Sequence, residues 1–117
     1  DWLGWIREQI VDELVVQVYL ANMQNFMEKI SRPEIKEAQQ TIPTGVAIMT
    51  GLRNSPVTMQ QIRSQAWAVQ ELGLGIAFFY YETLWDYAPE SIADRQDGFH
   101  NIFPFPVPRL ASQANNF

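Results

Sequence analysis

Gly45-Val46-Ala47-Ile48-Met49-Thr50, entered after Pro43 and left through Gly51, is an apolar run with no polar alternation. Such a run predicts a strand buried on both faces, as inside a parallel sheet. Two further runs match it on either side. Toward the amino end, Glu13-Leu14-Val15-Val16-Gln17-Val18-Tyr19 is dense in β-branched residues. Toward the carboxyl end, Gly75-Ile76-Ala77-Phe78-Phe79-Tyr80-Tyr81 is the most strongly apolar stretch of the chain.

Between and around these runs the spacing turns helical. Trp2, Trp5, Ile6 and Gln9 share a face behind Asp1 as a cap, which predicts a short helix over about residues 1–9. Asn22 caps a helix with Met23, Phe26, Met27 and Ile30 on one face, and Pro33 starts a second helical piece reaching Gln40. Thr58 and Gln61 form a T-x-x-Q capping box before a helix that turns Ile62, Ala66, Val69 and Leu72 inward and stops at Gly73. A last helix is expected over about 90–102, after a turn at Asp86–Pro89. Phe103–Pro108 cannot supply ladder hydrogen bonds and should be extended. Strands alternating with helical crossovers define an α/β chain of three parallel strands. Three strands leave two open edges, whereas doubly wound sheets have about five or more and a barrel needs about 250 residues. The chain is therefore expected to belong to a larger fold.

Composition narrows the function. The chain has 117 residues, is 47% hydrophobic and 13% aromatic, and carries a net charge of −5, with no run of Lys or Arg to meet phosphates. Nucleic acid is excluded as a partner on that ground. Without cysteine there are no disulfides and no thiolate metal sites. No apolar stretch approaches the roughly 18 residues that span a bilayer. The first residue is Asp1 and no leader pattern follows it, so the expectation is a chain that starts inside a longer protein or behind a removed leader. There is no phosphate-cradling glycine loop, G-x-S-x-G elbow, H-E-x-x-H or metal-ligand cluster, and no cofactor is expected. His100, the only histidine, is expected to be a packing or surface residue.

Reactive groups of parallel β/α folds project from the carboxyl ends of the strands. Here those positions are Gln17, Tyr19 and Asn22; Thr50, Arg53 and Asn54; and Tyr80, Tyr81, Glu82, Trp85 and Asp86. Flat aromatics mixed with acids and amides suit sugars, whose C–H faces stack on rings and whose hydroxyls bond carboxylates. Glu82 follows the apolar strand and is the candidate catalytic group, as a general acid or hydroxyl ligand with a raised pKa. A carboxylate salt-bridged to Arg53, or to a residue of a further strand, is equally open. Parity joins Tyr80 to Glu82 and Gln17 to Tyr19, so Tyr80, Gln17 and Tyr19 are expected to face the site. Gln17 as a core amide is the other reading. Arg53 can clamp an anion or stay a surface loop residue, and Asp86 can be a second acid or a helix cap. Glycosidases use two carboxylates about 5 Å or about 6.5–9.5 Å apart.

The stretches D-E-L-V-V-Q-V-Y (12–19), P-T-G-V-A-I-M-T-G-L-R (43–53) and G-I-A-F-F-Y-Y-E-T-L-W (75–85) resemble the glycosyl-hydrolase-like family ten proteins. E-S-I-A-D-R-Q (90–96) and I-F-P-F-P-V-P-R (102–109) also resemble cyanobacterial members of that family. The resemblance implies the last three units of a TIM-type (β/α)8 barrel, with the strands as sixth, seventh and eighth. Residues 1–109 would be its C-terminal portion and 110–117 a flexible tail. It further implies an exported, extracytoplasmic protein acting on polysaccharide, with the glycan strands of the cell-wall peptidoglycan as substrate. In related barrels the acid/base commonly follows the fourth strand and the nucleophile the seventh. After the seventh, this chain has Thr50, Gly51, Leu52 and Arg53 and no carboxylate, which moves attention to Glu82. The isolated chain is then expected to be inactive. The competing expectation is a non-catalytic α/β interaction or carbohydrate-binding module that self-associates through open sheet edges and displays Trp85 and Tyr81.

Overall fold

Local signals set the helix starts. In the computed structural model, which describes residues 1–107, Asp1 accepts the N–H of Gly4 at 3.1 Å and opens α1 (Trp2–Arg7). The tail expected at 110–117 lies outside the described residues. Asn22 caps α2 (Met23–Ile30) by accepting from Asn25 N–H at 2.9 Å, and Pro33 begins α3 (Pro33–Thr41). Thr58 accepts from Gln61 N–H at 3.2 Å at the head of α4 (Met59–Glu71). Ser91 does the same for Asp94 N–H, also at 3.2 Å, at the head of α6 (Ile92–Ile102). Each cap satisfies a donor that the first turn leaves without a helical partner.

Three strands pair in parallel: β1 (Leu14–Gln17), β2 (Thr44–Met49) and β5 (Gly75–Phe79), in the order β1-β2-β5. Between β2 and α4 lies a small antiparallel ribbon, β3 (Gly51–Leu52) and β4 (Ser55–Pro56). A short helix also follows β5, α5 (Tyr81–Trp85), where the sequence pattern continues the strand. The apolar run was one strand only to Phe79. Tyr80 leads into the helix, and its peptide bond with Phe79 is cis.

The register places Val16 beside Val46 and Ile76, and Ile48 beside Phe78. These side chains and Val18 meet Phe26, Ile30, Ile35, Ile62, Ala66 and Val69 from α2, α3 and α4 in one core. Burying each large aliphatic or aromatic side chain contributes roughly 1.5–3 kcal/mol before the entropy of ordering is subtracted. Phe78 adds edge-on contacts to Phe99 and Phe103, with ring centroids 5.1 and 6.1 Å apart.

Among the described residues, the other face of the sheet carries no helix. Val15 is 47% exposed and Phe79 43% exposed there, and Gln17 and Ala77 are exposed as well. The expectation that all three strands are buried on both faces therefore holds only for β2, which is flanked on both edges. In β1 and β5 burial alternates. α1 adds Trp2 to the core and packs on α3, where Arg7 pairs with Glu37 through bonds of 2.7 and 2.9 Å. The hydrogen bond from Arg7 holds the Glu37 carboxyl below its ordinary range. The pair is exposed, so water screens it and its contribution is small.

Candidate functional site

The strand ends bring three loops to one rim: residues 18–22 after β1, 50–58 after β2 and 80–91 after β5. Side-chain alternation sends Gln17 and Tyr19 to the uncovered face. Tyr19 stacks on Phe79 with centroids 5.5 Å apart and planes at 26°, and Phe79 tilts against Tyr80 at 5.1 Å. Because β1 and β5 flank β2, the Tyr19 and Phe79 rings meet across the end of the central strand. Partial burial pushes the Tyr19 hydroxyl pKa up from its ordinary value. Phe79 was not among the residues picked from the sequence. Its signal is the strand parity Gly75, Ala77, Phe79, which places it on the face of the sheet opposite Ile76 and Phe78.

Glu82 lies exposed in the first turn of α5. The parity linking it to Tyr80 does not apply, since the chain has left the strand by then. No ion pair joins Glu82 to Arg53 among the described residues; Arg53 instead lies over the ring of Tyr87, 5.4 Å from its centroid. Asp86, also exposed, ends α5 and donates its N–H to the Glu82 carbonyl at 2.8 Å. Tyr81 is 75% exposed. Trp85 is partly buried and points the other way, edge-on to Phe99 with centroids 5.4 Å apart. The rim thus gathers Gln17, Tyr19, Phe79 and Tyr80 on one side and Arg53 with Tyr87 on a second. Asn22 is engaged as a helix cap, and His100 is exposed in the last turn of α6.

Beneath the rim is a polar layer that the sequence did not announce. The Thr50 and Thr83 hydroxyls are 2.7 Å apart, and Thr50 also donates to the Phe79 carbonyl at 2.9 Å. The Arg95 guanidinium has no accessible surface. Its Nε donates to Leu84 O at 2.8 Å, Nη1 to Val57 O at 2.9 Å and Glu90 Oε1 at 3.3 Å, and Nη2 to Thr83 O at 2.6 Å and Thr50 O at 3.3 Å. Burial lowers the Arg95 pKa, against the attraction of Glu90. Glu90 uses its second oxygen to accept Met59 N–H at 2.9 Å, at the positive end of α4. Gln65, likewise buried, donates to Leu20 O at 2.7 Å and ties down the loop after β1. The available signal was position: Arg95, Gly98 and Ile102 share the inward face of α6, where a charge demands partners.

A cavity of about 480 Å³ opens at the opposite end of the strands, lined by Glu13, Val15, Gly75, Ala77, Phe103 and Val107 among others. It lies away from the rim. No group of His, Cys, Asp or Glu among the described residues is placed to hold a metal ion, and none of their helices is long and apolar enough to cross a membrane.

A family model described as glycosyl hydrolase-like 10 matches residues 1–69. That span holds β1, β2 and most of α4, and it stops before β5 and Glu82. No curated protein and no solved structure matches the chain. The match covers more than half of the sequence, and on it the chain belongs to the glycosyl hydrolase-like 10 family.

Proposed function

We propose that residues 1–109 form the closing wall of a glycosidase-like β/α barrel that binds polysaccharide where its strands end. The observation that carries this reading is the aromatic row Tyr19–Phe79–Tyr80 beside Gln17, at the carboxyl end of a face that no helix covers among the described residues. Consecutive strand order with the crossover helices on one side supports the reading as a barrel wall, whose other face would be the interior. A sugar ring laid on these aromatics would exchange apolar C–H surface with them. Gln17 supplies amide donors and acceptors for its hydroxyls, and Glu82, Asp86 and Arg53 border the rim.

Glu82 is proposed first as a hydroxyl ligand and second as a proton donor, since hydrolysis needs a partner carboxylate at a set distance. Family membership supports the class of reaction. Peptidoglycan glycan strands as substrate and an extracytoplasmic site of action are our reading of that membership. Glu82→Gln in the intact protein should abolish turnover or glycan binding while leaving the melting temperature nearly unchanged, because the side chain is exposed. Undiminished activity removes Glu82 from the site.

A second reading rests on the exposure of Val15 and Phe79. The same uncovered face, with edges of β1 and β5 unpaired among the described residues, would serve self-association in a non-catalytic module.

A further inference from the structure

We infer that Arg95 is the positioning residue of the rim, holding the loops after β2 and β5 in one fixed relation. A guanidinium has five N–H donors, and Arg95 uses all five. The acceptors fall into three groups. Thr50 O and Val57 O are the two feet of the segment that carries the β3–β4 ribbon and Arg53. Thr83 O and Leu84 O are carbonyls from the last turn of α5, which its own length cannot satisfy. Glu90 neutralises the charge and joins it to the start of α4. One side chain from α6 therefore closes the bases of both loops, and the Thr50–Thr83 hydroxyl contact lies in the same seam. With only five residues, α5 has too few internal hydrogen bonds to hold itself, so the position of Glu82 depends on this anchor.

Lysine cannot replace it. Its ammonium has three donors, so at least two of the buried acceptors would lose their partner. The role rests on the rim being the glycan site, as proposed above. It touches no ligand itself, because Arg95 is buried beneath the loops.

The test uses the intact protein with Arg95→Lys and Arg95→Met, read by amide hydrogen exchange and by binding of a soluble chito-oligosaccharide. The expected result is that the amides of Asp86 and Met59 exchange at least about tenfold faster in both variants, while those paired between β2 and β5 change less than about twofold. Glycan affinity should fall about tenfold or more with the exchange of the sheet amides unaltered. A uniform rise across all amides would reduce Arg95 to a general stabiliser and overturn the proposal, and so would unchanged exchange at Asp86 and Met59. If exchange is localised but the wild-type protein binds no glycan, the anchoring stands and the sugar reading fails. If wild-type protein binds and the variants bind equally well, the positioning role fails and the sugar reading stands.

Discussion

Gly73 shows how much one residue can decide. Its φ is +72°, its N–H bonds Gln70 O at 2.9 Å, and Leu74 N–H bonds Val69 O at 3.2 Å. These two bonds form the motif that ends α4 and turns the chain directly into β5. A methyl group here would adopt a left-handed backbone and sit 3.2 Å from Gln39 Nε2, whose donation to Leu72 O at 2.7 Å holds the same corner. Gly73→Ala should therefore cost about 1 kcal/mol or slightly more, checked by urea unfolding. This residue was legible in advance, because a left-handed stop depends on neighbours in sequence. Arg95 was not. Its acceptors at Thr50, Val57, Thr83 and Leu84 come from segments up to 45 residues away.

Between elements, the contact of α4 with α6 turns on Gly98. A side chain there would run into that of Met59, the first residue of α4. Alanine at a helix interior gains about 1 kcal/mol over glycine in propensity, whereas overpacking costs typically about 1–3 kcal/mol. The steric term wins, so Gly98→Ala should lower stability by about 1 kcal/mol in thermal melts, and adding Met59→Ala should relieve the clash while opening space elsewhere. A double-mutant cycle measures the coupling. α5 is the element that the pattern of residues misjudged. Phe79-Tyr80-Tyr81 is continuous with β5 in hydrophobicity, and β-propensity alone favours extending the strand. The chain breaks because Thr83 accepts Tyr80 N–H at 3.2 Å and meets Thr50, a partner that only the sheet brings into reach.

For the whole molecule, the one-sided helix layer has a consequence in solution. Val15 and Phe79 stand exposed on a sheet face with small residues between them, and such faces recruit other surfaces. The purified chain should bind a hydrophobic dye or sediment above its monomer mass, and Val15→Thr together with Phe79→Thr should reduce both signals. A dye-free monomer that melts cooperatively would count against the uncovered face as an unsatisfied one. By itself the sequence determined the three strands, their parallel α/β arrangement, the caps at Asp1, Asn22, Thr58 and Gly73, and the family likeness. Those features are local or periodic, and hydrogen bonds between near neighbours enforce them. Tertiary structure alone decided that α5 interrupts the apolar run at Tyr80, that Tyr19 meets Phe79 over β2, and that buried Arg95 gathers the rim. Each depends on the burial of groups far apart in the chain, where a charged or polar side chain is retained only because distant carbonyls satisfy it.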